Sequence, residues 1–148
     1  MNVRKARTDE AEQIAQFQIL MAQETEGMAL DTEIVRRGVA GVFAEPTRGT
    51  YWVVEAEGKL LGSMLVIPEW SDWRCGTVLW IHSLFIQPPA RKRGLFRLLY
   101  QNLKQQVIQN PNLKGLRLYV DKTNTVAREV YEKLGMNRDH YEMYEWLK

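Results

Sequence analysis

A short basic turn stands between a strand-like run and a helix-like run in the second half of the chain. The turn reads Arg91-Lys92-Arg93-Gly94 and follows the apolar run VLWIHSLFI. A helix N-terminus presents unpaired backbone N–H groups and a partial positive charge, so a strand, a basic turn and a helix in this order can bind a phosphate-type anion. Gly94 would let the backbone approach that anion closely. The alternative is that Gly94 serves only the turn and that the basic side chains are solvated.

Two other side chains are of types that move protons. His82 lies inside the apolar run, and an imidazole with an ordinary pKa of about 6.5 accepts a proton at neutral pH. A histidine in such a run is also often a hydrogen-bonded core residue. Tyr131 falls on the apolar face of a later helical pattern, where its phenol could act as a general acid and where simple packing is the alternative.

Acidic and aromatic residues in two further segments could contact a cationic amine. Glu24 and Glu26 lie in the N-terminal third of the chain, and Trp70 and Asp72 lie in a tryptophan-rich stretch. Carboxylates would pair with the positive charge, and indole rings would add cation–π contacts. The alternative is a solvated acidic face and tryptophans that anchor a loop or a dimer contact.

Composition limits the class of protein. The 148 residues are 45% hydrophobic and 26% charged, and the formal net charge is +2. This charge is too small to predict a protein that coats nucleic acid or an acidic membrane. Cys75 is the single cysteine and the two histidines, His82 and His140, are far apart, so we expect neither an internal disulfide nor a metal site. We expect one domain spanning residues 1–148.

No targeting or membrane segment is apparent in the sequence. The N-terminal residues MNVRKARTDEAEQ contain no apolar stretch of the kind a signal peptide needs. No run reaches the roughly 18 apolar residues of a membrane span. We therefore expect a cytoplasmic protein.

The hydrophobic periodicity predicts a mixed α/β domain in which strands and helices follow one another without linkers or repeats. The predicted order is a strand over Val3–Ala6, helices beginning near Asp9 and Asp31, strands over Thr50–Ala56, Lys59–Ile67 and Thr77–Ile86, a helix after Gly94, a strand over Leu116–Val120, a helix over Val126–Leu134 and a strand over Tyr141–Leu147. The run Thr77–Ile86 is apolar at nearly every residue, which is typical of a strand covered on both faces.

Two motifs occur together in the second half of the chain. Arg91 and Gly94 match the pattern Arg/Gln-x-x-Gly-x-Gly/Ala after a central strand, whereas Phe96 departs from the small third residue. The second motif consists of Asn124, Ala127 and the run YEKLGM that begins at Tyr131. With these two motifs, the sequence resembles the GNAT superfamily of acyl-coenzyme A-dependent N-acetyltransferases. The resemblance implies a mostly antiparallel central sheet, flanked by helices, in which two parallel strands splay apart.

The resemblance also implies where acetyl-CoA would bind. The pantetheine arm would lie between the splayed strands and pair with the backbone of Leu84, Phe85 and Ile86. The pyrophosphate would lie on the turn after that strand, and the start of the second motif would contact the coenzyme. The residues implied for the turn are Arg91, Lys92, Arg93, Gly94, Leu95 and Phe96, and those implied for the second motif are Asn124, Ala127 and Tyr131. No metal is implied.

The same resemblance assigns candidate proton carriers. Tyr131 stands at the position of a family tyrosine that protonates the departing thiolate. The family often has a glutamate base on the central strand, and His82 stands at that position. Glu24, Glu26 and Glu55 are alternative bases that could act through water.

The resemblance therefore predicts an N-acetyltransferase that moves an acetyl group from acetyl-CoA directly to a primary amine of a small molecule or peptide. A non-catalytic acyl-CoA-binding or sensing module is one alternative, because Phe96 and His82 both depart from the family pattern. A nucleic-acid-binding domain that uses the basic turn is another. The aromatic last strand, YEMYEWL, could pair with another chain at a sheet edge, so we also expect a possible homodimer.

Overall fold

The computed structural model describes all 148 residues and contains five strands and four α-helices. Short 3-10 turns join several of them. The elements in chain order are β1 (Asn2–Lys5), α1 (Ala11–Glu26), α2 (Thr32–Ala44), β2 (Thr50–Ala56), β3 (Lys59–Ser71), β4 (Gly76–Ile86), α3 (Leu95–Gln109), β5 (Leu113–Arg117) and α4 (Thr125–Lys133). None of the helices combines the length and the apolar character that crossing a bilayer requires.

The strands form one sheet in the order β1-β2-β3-β4-β5. Neighbouring strands are antiparallel except β4 and β5, which are parallel. The predicted fold class, a mostly antiparallel sheet with one parallel pair and flanking helices, is therefore confirmed.

Each face of the sheet carries its own hydrophobic core. Ile14 and Phe17 of α1 pack with Phe85 and Leu65 on one face, and Val39 of α2 belongs to the same cluster. We call this the α1 face. On the other face, which we call the α3 face, a second cluster is formed by Ile81, Met64, Val66, Leu95, Leu99 and Leu103. Because side chains alternate along a strand, each strand residue can be assigned to one face.

The helices begin and end close to where periodicity predicted them. Asp31 caps α2, since its carboxylate accepts a hydrogen bond from the backbone N–H of Ile34 at 3.0 Å. Asn124 caps α4 in the same way, with the backbone N–H of Ala127 as donor at 3.1 Å. Gly94, with a φ of 73°, precedes the first residue of α3.

The strand predictions near the C-terminal ends of β3 and β5 were wrong in their bounds. β3 continues past Ile67 to Ser71, and Pro68 is tolerated there because the pairing with β2 has already ended at Val66. β5 covers Leu113–Arg117 rather than Leu116–Val120, because its pairing with β4 ends where Arg117 meets Trp80.

The last predicted strand, Tyr141–Leu147, is absent from the sheet. Residues 140–148 make no backbone–backbone hydrogen bond and belong to no helix or strand. The alternating aromatic pattern is typical of a strand, but no strand within the chain pairs with it. We call residues 140–148 the C-terminal segment.

Candidate active site

The turn between β4 and α3 exposes a continuous row of backbone N–H groups. The first helical hydrogen bond of α3 runs from the N–H of Leu98 to the carbonyl of Gly94 at 3.1 Å. None of the N–H groups from Lys92 to Arg97 donates within the protein. Lys92 and Gly94 have φ values of 62° and 73°, and residues in this left-handed conformation turn successive N–H groups toward one point. This geometry fits a phosphate-type anion.

A pocket of about 230 Å³ opens beside this turn. The ring of Phe96 lines the pocket and packs edge-on against Tyr131, with ring centroids 5.5 Å apart. The bulky residue at the third motif position therefore forms a wall between α3 and α4 and leaves the pocket open. The remaining lining residues are Ile86, Ala90, Arg91, Lys92, Gly94, Leu95, Arg97 and Val130.

The parallel strands β4 and β5 separate before β4 ends. They are paired only from Thr77 to Trp80 of β4, so residues 81–86 have no strand partner on the β5 side. The predicted backbone contacts of Leu84, Phe85 and Ile86 lie on this unpaired stretch. Backbone groups with no partner are costly when buried, so this edge is suited to pairing with an amide-bearing ligand.

A β-bulge at Ser83 shifts the alternation of β4 by one residue. Leu65 of β3 is opposite His82 and Ser63 is opposite Phe85, so one β3 residue faces two on β4. Ser83 has a φ of 49°, which is unusual for a residue with a side chain. The bulge turns His82 and Phe85 to the same face, although an unbroken strand would put them on opposite faces.

His82 lies on the α1 face beside the unpaired edge of β4. Its ring contacts Tyr119 edge-on, with centroids 5.2 Å apart, and lies 6.2 Å from the ring of Trp80. The imidazole makes no hydrogen bond within the protein, so His82 is not a hydrogen-bonded core residue. Burial lowers the pKa of His82, which keeps the imidazole neutral and able to accept a proton.

Tyr131 lies on α4, beyond the opposite face of the sheet. Leu134 and Met136, which follow it, pack against the core on the α3 face. Burial raises the pKa of the Tyr131 phenol, so it stays protonated over the range in which a general acid must act. A neutral imidazole thus lies on one face of the sheet beside the unpaired edge of β4, and a protonated phenol lies beyond the other face.

The predicted acidic and tryptophan residues are not brought together as one acceptor site. Glu24 accepts a hydrogen bond at 2.5 Å from Arg91, whose Nε donates to the carbonyl of Ile86. Glu26 is exposed at the end of α1. Trp70 and Asp72 lie at the far end of the β3–β4 hairpin, and alternation turns Trp70 to the α3 face.

Glu55, another of the alternative bases, is engaged in an ion pair. Arg4 donates a hydrogen bond to its carboxylate at 2.5 Å, and this contact lowers the pKa of Glu55. An ion pair of this kind joins residues 51 positions apart in the sequence, which local spacing does not reveal. The structure groups no three His, Cys, Asp or Glu side chains as metal ligands.

Four residues in and around the Trp80 side chain, the neighbour of His82 on β4, were not predicted from the sequence. Trp80 is two residues before His82 on β4, Arg117 and Tyr119 lie at or just after the end of β5, and Glu69 lies on β3. Alternation from His82 would have identified Trp80, because residues two apart share a face. The positions of the other three residues depend on the strand register, which the sequence alone does not reveal.

Comparison with known proteins places these features in a family. The profile of the acetyltransferase (GNAT) family matches residues 11–136. An uncharacterized N-acetyltransferase of Bacillus subtilis (strain 168), YhfO, is 26% identical over 143 residues, covering 94% of this chain and 91% of that protein.

Solved structures agree with the profile. A possible acetyltransferase from Clostridium difficile 630 is 36% identical, with a TM-score of 0.93 over 99% of this chain and 97% of that one. A crystal structure from Clostridium acetobutylicum, described as a predicted acetyltransferase with acetyl-CoA, shares the fold with a TM-score of 0.73 at 18% identity, over 99% of this chain and 94% of that one.

Proposed function

Because this chain belongs to the acetyltransferase (GNAT) family, we propose that it transfers an acetyl group from acetyl-CoA to a primary amine by direct transfer. The observation that carries the proposal is the row of free N–H groups from Lys92 to Arg97 beside the unpaired edge of β4. One ligand with a pyrophosphate next to an amide-bearing arm would use both features.

The residues around the turn are suited to hold the donor. The N–H groups and the N-terminal dipole of α3 would bind the pyrophosphate oxygens. The side chains of Lys92 and Arg93 are exposed and add positive charge. The backbone of Leu84–Ile86 would pair with the amides of the pantetheine arm, and Asn124 and Ala127 begin the helix that carries Tyr131.

Acetyl-CoA supplies an activated acetyl group as a thioester. His82 would accept the proton that the amine loses as its nitrogen forms the new bond to the acetyl carbon, directly or through water. Tyr131 would donate a proton to the sulfur as the carbon–sulfur bond breaks. Protons and electron pairs balance without a covalent enzyme intermediate or an oxidant.

Calorimetric titration with acetyl-CoA tests the donor site. We expect Gly94→Glu to abolish binding, because its carboxylate would stand among the N–H groups that hold the pyrophosphate. Gly94→Ala is the matched control: a Cβ at Gly94 meets no atom within 4 Å, so this variant adds only the strain of a positive φ. Equal affinity of the Glu variant and the native protein would contradict the proposal.

Turnover distinguishes the enzyme from the alternative function, a non-catalytic acyl-CoA-binding module. Such a module would bind acetyl-CoA with the same dependence on Gly94 and would release no free CoA thiol with any amine. The enzyme releases thiol in proportion to acetylated amine, which a thiol-reactive dye and mass spectrometry measure together.

A further inference from the structure

Beside His82, the α1 face carries a cationic side chain held by aromatic rings. The guanidinium of Arg117 lies over the ring of Trp80 at 6.0 Å and over the ring of Tyr141 at 5.3 Å. Such contacts stabilise a cation and fix its position. Arg117 is therefore held in place, next to the residues that surround His82.

Most of the hydrogen-bonding capacity of Arg117 is unused. Its Nη1 donates to Glu69 at 3.2 Å, and neither Nη2 nor Nε has a partner within the protein. The Arg117 side chain is 28% exposed, whereas Glu69 is 47% exposed and makes no other hydrogen bond. A single contact to a half-exposed carboxylate is weak, so an incoming carboxylate could replace it.

Trp80, over whose ring Arg117 lies, carries a second unused donor, its indole N–H. The nitrogen Nε1 is buried and has no hydrogen-bond partner. An indole nitrogen can only donate, and a buried donor without a partner costs on the order of 1–3 kcal/mol. An oxygen that reached both Trp80 and Arg117 would satisfy this donor and the cation together.

The strand spacing sets the separation between the Trp80 and His82 side chains. Trp80 is the strand partner of Arg117, and the ring centroids of Trp80 and His82 are 6.2 Å apart. Two residues along a strand correspond to about 6.6 Å. A ligand that spans from His82 to Trp80 therefore needs its two functional groups separated by several carbons, on the order of 6 Å.

We propose that Arg117 and the Trp80 indole N–H bind a carboxylate of the acceptor, whose primary amine lies at His82. The acceptor class is an amino acid in which several carbons separate the amine from the carboxylate. This inference rests on the proposed function, because it specifies the substrate of the same site. It replaces the cationic acceptor suggested by the acidic residues of the sequence.

Three amines of matched length test the proposal: δ-aminovalerate is anionic at its far end, pentylamine is neutral and cadaverine is cationic. We expect δ-aminovalerate to have the highest kcat/KM, by at least tenfold over the other two. Arg117→Gln should remove this preference by raising the KM for δ-aminovalerate, with little change for pentylamine. Equal kcat/KM for the three amines, or a preference for cadaverine, would overturn the proposal.

Two further variants test whether Trp80 and Arg117 act as hydrogen-bond donors to the ligand or only pack. Trp80→Phe keeps an aromatic ring beside Arg117 but replaces the indole by a smaller ring without an N–H donor, so we expect the KM for δ-aminovalerate to rise several-fold. Glu69→Gln removes the competing carboxylate, so we expect that KM to fall. An unchanged affinity for acetyl-CoA in each variant shows that the fold is intact. If the Arg117 and Trp80 variants slow all three amines alike, these residues are structural.

A direct binding measurement distinguishes failure of this inference from failure of the proposed function. Calorimetric titration of δ-aminovalerate, in the presence of CoA, should show binding that Arg117→Gln weakens at least tenfold. If no amine is acetylated but this binding is seen, the acetyltransferase proposal fails and the anion site stands. If amines are acetylated but δ-aminovalerate binds no better than pentylamine, the anion site fails.

Discussion

Burial moves the pKa values of His82 and Tyr131 in opposite directions, because it disfavours the charged form of each group. In the proposed mechanism His82 must be neutral to accept a proton. Since its pKa is lowered, we expect kcat/KM to fall only when the pH drops below the ordinary histidine value of 6.5. Tyr131 must be protonated to serve as the proposed acid, and burial raises its pKa, so the alkaline fall should come above pH 10.0. The pH profile of kcat/KM measures both limits.

Two substitutions test which residue causes the acidic fall of kcat/KM and which acts as the general acid. His82→Gln should remove the acidic limb, and an acidic limb that persists unchanged would exclude His82 as the base. Tyr131→Phe keeps the ring that packs against Phe96, so acetyl-CoA affinity should be retained. Its kcat should fall by about 10²-fold or more, as for the loss of a general acid. Full turnover in Tyr131→Phe would mean that the residue only packs.

At the scale of residues, the sequence predicted what local spacing determines. Gly94 was predicted at the turn before a helix and Asn124 from the second motif, and each directly precedes the first residue of a helix. Glu24 and Glu55, named as alternative bases, each pair with an arginine that is distant in sequence, which local spacing does not reveal. Arg117 was missed for the same reason: its neighbours are set by the register of β5 on β4.

The bulge of β4 is the element-scale feature on which the site depends. Ser83 adopts a φ of 49°, a conformation that a β-branched residue tolerates poorly. We expect Ser83→Val to destabilise the protein by about 1–3 kcal/mol, which lowers Tm by several degrees in a chain of this size. Ser83→Gly is the control and should leave Tm nearly unchanged, since glycine adopts positive φ without strain. Thermal unfolding of the two variants measures the difference.

The bulge also links stability to acetyl-CoA binding. A valine that forced β4 into unbroken alternation would turn Phe85 away from Phe17, with which it now packs at 5.2 Å between ring centroids. Because Phe85 belongs to the stretch proposed to pair with the pantetheine arm, Ser83→Val should weaken acetyl-CoA binding as well as folding. A Ser83→Val protein as stable as Ser83→Gly would show that the positive φ is not required.

Helices were easier to predict than strands for a physical reason. An α-helix satisfies its hydrogen bonds within one segment, so its periodicity and caps are visible locally, as at Asp31 and Asn124. A strand exists only beside a partner. Leu118–Val120 has a strand-like pattern but lies outside β5, because β4 has already diverged from it.

At the scale of the whole molecule, the C-terminal segment has exposed apolar side chains and backbone groups without backbone partners. It carries five exposed large hydrophobic side chains, Tyr141, Met143, Tyr144, Trp146 and Leu147, and none of its backbone groups is paired with another backbone group. β5 is the last strand of the sheet, so its outer edge is free as well. A free edge and an unpaired extended segment in the same chain are complementary between two copies.

We therefore expect a homodimer in which the C-terminal segments cover each other or the partner's β5 edge. Light scattering after size exclusion should give twice 17.3 kDa. Tyr144 and Trp146 are 92% and 88% exposed, so changing both to lysine removes no packing within one copy and should yield a monomer. Trp73 is 89% exposed at the β3–β4 hairpin, and Trp73→Lys should leave the dimer intact. A monomeric native protein, or a dimer that survives the double change, would show that this segment is not the interface.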